Sequence, residues 1–237
     1  MKSQLYLYQD LRKKYIRDLT HIKELFFERI QPIFANAENE ATAYQNQIWD
    51  NLMSQPCSEE SIIDPSDFVE TVQEAGLEKY EILSLMKYRN ISMWISCMCQ
   101  IWEQQLFSFI CNEARIEGLQ YDESDLKKGF AFSKEVFTRH QQPFENLACW
   151  PKIRELRALV NVIKHSEGDS EQKLRKMRPD YFEYDTDIGK YDLLSLYHST
   201  LLEATLQIND KDFIDYYDAL IAFWNELPEW MYTENDI

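Results

Sequence analysis

The sequence predicts an all-α fold, built as an antiparallel bundle of helices. Only 5 glycines and 7 prolines occur in 237 residues, and β-sandwiches, barrels and glycine-rich nucleotide loops need more of both. Apolar residues instead recur at spacings of three and four along most of the chain, which is the period of an amphipathic helix. The strict alternation of a half-buried strand is absent from the sequence. These observations together favour helices connected by short loops.

Two parts are expected, a helical extension over residues 1–60 and a helical domain over residues 61–237. The spacing predicts one helix over 4–31, which Pro32 ends or kinks. A second helix is expected over 33–53, before a turn-rich stretch that marks the boundary.

The larger part should begin with a helix that Ser66 or Asp67 caps and that Gly76 interrupts. Residues 78–114 are apolar on most faces, which predicts a central, buried helix. Further helices are expected at about 131–140, 151–165, 171–178, 191–207 and 211–227. The last two should form an antiparallel pair, with a cap at Asp210.

Composition and motif content exclude several classes of function for this sequence. The net charge of −16 excludes a generic basic protein that coats nucleic acid. The longest apolar run has about a dozen residues, fewer than the ~20 that span a bilayer, so a cytoplasmic protein without a membrane segment is expected. Five cysteines without a CxxC pair predict free, buried thiols. Sequence motifs of ATPases, dehydrogenases, zinc proteases and α/β-hydrolases do not occur, and no cofactor or metal is expected.

The charge is distributed unevenly along the chain. Residues 151–178 hold eight basic and four acidic side chains, a local charge of +4. Residues 179–237 hold 14 acidic and two basic side chains, a local charge of −12. The acidity therefore belongs mainly to the C-terminal part, and a phosphate could be bound only by the basic segment that precedes it.

One edge of the predicted helix 151–165 carries groups that suit RNA cleavage without a metal. A helical wheel places Arg154, Arg157, Asn161 and His165 beside the apolar face, with Lys164 just outside. The imidazole titrates near neutrality and can move a proton. A guanidinium offers a two-pronged contact to phosphate oxygens. The alternative is structural: a C-terminal His that interacts with the helix dipole, with Arg and Asn as solvated side chains.

The run ELRALVNVIKHSEGDSEQKLRKMRPDYF, residues 155–182, resembles the characteristic helix of the HEPN superfamily (higher eukaryotes and prokaryotes nucleotide-binding). It is most similar to the bacterial HEPN-like proteins of toxin–antitoxin and phage-defence systems. The Asn-x-x-x-His element of the family matches Asn161 and His165. The family usually places an arginine directly before that asparagine, where this chain has Val160, and the nearest upstream arginine is Arg157.

The resemblance implies an all-α, homodimeric endoribonuclease whose site lies at the dimer interface. His165 would then be the general acid or base, Asn161 would position it, and Arg157 would contact phosphate. Arg154 and Lys164 would help to bind the substrate. RNA, a second copy of the chain and an antitoxin or other protein are the partners that this reading suggests. Val160 leaves open a second reading, a non-catalytic HEPN-like module that binds a protein or RNA.

Other candidate residues are weaker. Glu103, in the most apolar stretch, is either a surface carboxylate or the partner of an arginine on a neighbouring helix. Arg139 and His140 are expected as a surface pair at a helix end. His198 follows a leucine-rich segment and is expected to be a satisfied interior or edge side chain.

Overall fold

The structure is a computed structural model that describes residues 3–54, 66–186 and 189–233. Its longer helices are α1 (Gln9–Leu25), α2 (Ala37–Met53), α3 (Ser66–Ile116), α5 (Phe130–Arg139), α6 (Trp150–His165), α7 (Asp169–Met177) and α9 (Asp210–Glu226). Short helices α4 (Glu123–Leu126) and α8 (Leu193–Tyr197) join them, together with a π-helix at Phe26–Ile30 and 3-10 turns at Gln31–Phe34, Phe144–Asn146 and Pro179–Tyr181. The predicted all-α class is confirmed.

Within the described residues, four strands of three residues form two small antiparallel pairs. In the first pair, β1 (Gln4–Tyr6) joins β4 (Trp230–Tyr232), with Leu5 opposite Met231. In the second, β2 (Tyr184–Thr186) joins β3 (Gly189–Tyr191). Strands this short contain too few residues for an alternating pattern to be visible in the sequence.

The chain divides into two compact units, and helix α3 contributes to both. One unit holds residues 26–90. Within it, Gly76 lies against the side chain of Gln45, because a Cβ at Gly76 would come within 3.0 Å of Gln45 Oε1. The glycine therefore allows α2 and α3 to approach closely. The predicted interruption at Gly76 is wrong, since α3 runs through it without a break.

The other unit holds residues 1–25 and 91–237. Its core is aromatic: the rings of Trp102, Phe144, Phe223 and Trp224 are all fully buried. Phe223 packs edge-to-face on Trp102, with 5.0 Å between ring centroids, and on Phe144 at 5.1 Å. These contacts join α3 and α9 to the segment before α6, and so hold α6 against the core.

Two predicted helices end differently in the structure. Residues 4–6 form a strand rather than the start of a helix, because they pair with β4 from the far end of the chain. Of the predicted helix 191–207, only Leu193–Tyr197 is helical. The chain then turns at His198, whose φ is +52°, and Thr200 donates a hydrogen bond to the carbonyl of Ile163 at 2.8 Å. This hydrogen bond to the last turn of α6 holds the segment after His198 in a non-helical conformation.

At single positions, the expectations for the cap of α9 and for His140 are wrong, whereas the one for His198 agrees with the structure. Asn209, and not Asp210, caps α9, and it forms a reciprocal capping box with Asp212. His140 is buried, with Nδ1 2.7 Å from the carbonyl oxygen of Val136, so the expected surface position is wrong. His198 lies at the edge, 2.7 Å from the carboxylate of Glu167.

The cysteines of the described part are free. Cys99 and Cys149 are buried as predicted, Cys111 is half-buried, and Cys97 is exposed, which corrects the expectation for that thiol. The prediction for Cys57 concerns a position outside the described residues. The predicted domain boundary at residue 60 also falls outside them, and it stays a prediction.

Candidate functional site: a basic cleft between two helices

Helices α6 and α7 pack as a pair because the chain reverses within three residues. Ser166 and Gly168 both have positive φ, +61° and +134°. A positive φ strains the backbone of every residue except glycine, so Gly168 lets the chain turn at that point with little strain. Leu174 of α7 is fully buried and anchors the short helix. The outer edges of the two helices then enclose a cleft.

The cleft has a volume of about 450 Å³ and is basic. Its charged lining side chains are Arg154 and Arg157 from α6, and Lys173 and Lys176 from α7. Asn161 and Ser170 add polar groups, and Ala158 and Met177 add apolar surface. None of the described residues that line it is acidic. Four cations around a concave surface concentrate positive potential there, although the whole chain carries −16.

Two of the polar residues in the cleft contact each other across the helix pair. Asn161 donates from Nδ2 to the hydroxyl oxygen of Ser170 at 3.3 Å. This contact joins α6 to the first turn of α7. Both residues line the cleft, where the second amide hydrogen of Asn161 and the hydroxyl group of Ser170 can orient a bound oxygen atom.

Arg157 is fixed by two neighbours. Its Nε donates to Glu103 Oε1 of α3 at 2.6 Å, and its Cζ lies 3.4 Å from the ring centroid of Phe130. Both partners of the ion pair are about 30% exposed, 29% for Arg157 and 31% for Glu103. Glu103 therefore partners an arginine on a neighbouring helix, the second of the two roles expected for it.

A buried ion network holds the cleft's supporting elements together. Arg178, directly after α7, donates to Glu155 of α6 and to Asp212 of α9, at 3.0 Å each. Tyr216 of α9 donates to the same Glu155 oxygen at 2.9 Å. Glu155 and Asp212 are both buried. The single guanidinium thus connects three helical segments.

The ionisation of this network follows from its contacts. Burial by itself lowers the pKa of Arg178, but the hydrogen bond to Asp180 and the contacts with Glu155 and Asp212 raise that pKa above its usual value. The hydrogen bond from Arg178 in turn lowers the pKa of Asp180. The Arg178 guanidinium and the Asp180 carboxylate therefore both stay charged at neutral pH.

The structure brings three of the five predicted site residues together and leaves two apart. Arg154, Arg157 and Asn161 line the cleft. His165, at the last position of α6, and Lys164 are exposed and do not line it. His165 lies one helical turn beyond Asn161, about 6 Å along the axis.

Sequence reasoning missed the contribution of α7. Ser170, Lys173 and Lys176 are spaced by three residues, which places them on one face of that helix. The +4 charge of residues 151–178 indicated a basic surface. A helical wheel of α7, considered together with that of α6, would have predicted that these residues belong to the same basic surface.

Val160, directly before Asn161, does not line the basic cleft. Its side chain is 4% exposed and belongs to the core. An arginine at this point would have to be buried, which is costly without a partner. In this chain the basic groups of the cleft come from Arg154, Arg157 and α7 instead.

No protein-family model, curated protein or solved structure matches this chain. Within the described residues, no helix is both long and apolar enough to cross a membrane. The same residues contain no cluster of three or more His, Cys, Asp or Glu side chains that could hold a metal ion.

Proposed function

We propose that the protein binds RNA in the cleft between α6 and α7 and cleaves it as a HEPN-like endoribonuclease. The observation that carries this proposal is the cleft itself, with four basic side chains, an amide and a hydroxyl around one concavity. Phosphodiesters are bound by such groups, and guanidinium and ammonium ions supply most of the affinity. Many phosphodiesters would fit such groups, and the resemblance of residues 155–182 to the HEPN motif is the reason for proposing RNA as the bound polymer.

His165 is the proton-transferring residue in this proposal. Its imidazole accepts the proton of a ribose 2′-hydroxyl, and the 2′-oxygen attacks the adjacent phosphorus. The bond from phosphorus to the 5′-oxygen breaks, and that oxygen takes a proton from a second imidazole. The products are a 2′,3′-cyclic phosphate and a 5′-hydroxyl. Arg157 and the lysines neutralise the phosphate charge, so the reaction needs no metal ion.

The second imidazole is His165 of another copy of this chain. Next to the last turn of α6, the segment 196–202 exposes apolar side chains, among them Leu196 at 64% and Leu202 at 70%. Thr200 of that segment is bonded to Ile163. Apolar side chains beside His165 suit a surface that a second copy covers.

The test is cleavage of a single-stranded RNA by the purified protein in EDTA. The intact protein should produce 2′,3′-cyclic phosphate ends, and His165→Ala should abolish them. The control variant His21→Ala removes an exposed histidine of α1 and should cut normally. A His165→Ala protein that cleaves as fast as the intact one would exclude this mechanism. Light scattering on the same samples should give the mass of a dimer.

A second function, RNA binding without cleavage, is favoured by two observations. Glu103 already accepts the hydrogen bond that Arg157 Nε donates, and His165 lies outside the cleft of its own chain. In this case the intact protein and His165→Ala bind RNA equally, and neither produces cyclic phosphate. An antitoxin or other protein partner would then act on a binding module rather than on an enzyme.

A further inference from the structure

A second cleft lies on the other side of the Arg157–Glu103 ion pair. It has a volume of about 330 Å³, and one face of α3 forms its wall with Gln100, Glu103, Gln104 and Phe107. The start of α5 and the segment before it close the cleft on the opposite side. The spacing of four and three residues places the α3 side chains in successive turns of the same helix face.

The two clefts share a wall. Arg157 lines the basic cleft, whereas Glu103 and Phe130 line the second one. Because Arg157 contacts both Glu103 and Phe130, a ligand that fills one cleft lies directly beside the other. A nucleotide whose phosphate is bound by Arg157 therefore has its base within reach of the second cleft.

The lining of the second cleft differs in chemistry from that of the first. Gln100 and Gln104 are exposed, and each amide offers a donor and an acceptor. Phe107 is half-buried and presents part of its ring, next to apolar surface from Leu126. Lysine and arginine side chains do not line the cleft among the described residues. These groups suit a flat, uncharged heterocycle rather than a phosphate.

The pattern of hydrogen-bonding groups favours a purine. A glutamine amide pairs in two places with adenine, whose amino group donates while the neighbouring ring nitrogen accepts. Unpaired bases of single-stranded RNA also stack on phenylalanine rings, and a purine has the larger face. Uracil offers a smaller face and carbonyl oxygens in place of the amino group.

We propose that the cleft formed by Gln100, Gln104, Phe107 and Leu126 binds one unpaired purine base, preferentially adenine, of the RNA whose backbone lies in the basic cleft. The proposal rests on the proposed RNA binding and adds a base preference to it. The basic cleft then determines affinity, and the second cleft determines which nucleotide lies next to the bound phosphate.

The test compares two fluorescent 12-nucleotide RNAs, an all-uridine strand and the same strand with one central adenosine. Both carry 2′-O-methyl groups, because a methylated 2′-oxygen cannot attack the phosphate. Fluorescence anisotropy gives the dissociation constants for the full-length protein. The intact protein should bind the adenosine strand about fivefold or more tightly, since stacking and pairing of one base contribute at least that factor.

The variant Gln100→Ala/Gln104→Ala should bind both strands with the affinity that the intact protein has for all-uridine RNA. The matched control Gln9→Ala/Gln73→Ala removes two exposed glutamines that do not line this cleft, one at the start of α1 and one in the first turns of α3, and should retain the preference. A preference that persists in the Gln100→Ala/Gln104→Ala variant would overturn the assignment to this cleft.

Equal binding of both strands by the intact protein would overturn the base site and leave the proposed RNA binding in place. If the intact protein binds neither strand at low salt, the proposed function and the base site are both wrong.

Discussion

Arg157 donates to Glu103 across 2.6 Å, and this ion pair joins helix α6 to helix α3 at the wall of the basic cleft. The carboxylate holds the guanidinium in place and also reduces the positive charge that a phosphate meets. Under the proposed function, an RNA phosphate in the cleft would compete with Glu103 for Arg157. This competition would make Glu103 a determinant of RNA affinity, although Glu103 does not line the basic cleft.

The variant Glu103→Gln should bind all-uridine RNA about two- to fivefold more tightly than the intact protein, since a half-exposed ion pair contributes up to ~1 kcal/mol. The glutamine keeps the shape of the side chain and removes its charge. Anisotropy at low salt measures the change. Glu123→Gln, on α4 and 84% exposed, is the control and should leave affinity unchanged. Weaker binding by Glu103→Gln would show that Glu103 supports the site and does not compete with the phosphate.

The Arg178 network should dominate the stability of the α6–α7 pair. Arg178→Met leaves the carboxylates of Glu155 and Asp212 buried without their common cation, which costs about 3–5 kcal/mol of unfolding free energy. Urea unfolding followed by circular dichroism measures the loss. Arg154→Met, at an exposed position of the same region, should change stability by about 0.5 kcal/mol or less. A loss below ~1 kcal/mol for Arg178→Met would contradict the role assigned to the network.

Thiol reactivity should distinguish the cysteines of the described part. Burial raises the pKa of Cys99 to about 12, and burial together with the charge of Glu226 raises the pKa of Cys149 to about 12. Both thiols therefore stay protonated at pH 8, and an alkylating reagent reacts only with thiolates. Mass spectrometry of the native protein should find Cys97 alkylated and Cys99 and Cys149 unmodified until urea is added. Rapid labelling of Cys149 without urea would contradict its placement at the start of α6.

Local patterns predicted the helices well, and long-range contacts account for the errors. The three- and four-residue spacing found α6 within one residue, because that helix buries a continuous apolar face. The sequence could not reveal that β1 pairs with β4, since the partners lie more than 220 residues apart. For the same reason the sequence does not reveal the contacts of Arg12. It is buried, and it donates to the carbonyl of Leu227 at 2.8 Å after the end of α9.

The candidate site was predicted in part for a similar reason. One helical wheel sufficed for Arg154, Arg157 and Asn161, which lie on a single helix. Lys173 and Lys176 join them only through the turn at Gly168, which sets the direction of α7. The ion pair with Glu103 crosses from one helix to another, 54 positions apart in sequence. Contacts of this kind depend on packing that a periodic pattern does not specify.

The salt dependence of RNA binding tests the central claim most directly, since it would count the phosphates that the proposed site neutralises. The double variant Lys173→Ala/Lys176→Ala removes two cations from α7 without touching the core. Lys13→Ala/Lys127→Ala removes two exposed cations that do not line the cleft, and serves as the control.

For the cleft variant, the slope of the logarithm of affinity against the logarithm of salt concentration should fall by about 1.4, at about 0.7 for each lost contact with a single strand. The control should keep the slope of the intact protein. Equal slopes for the cleft variant and the intact protein would contradict RNA binding between α6 and α7.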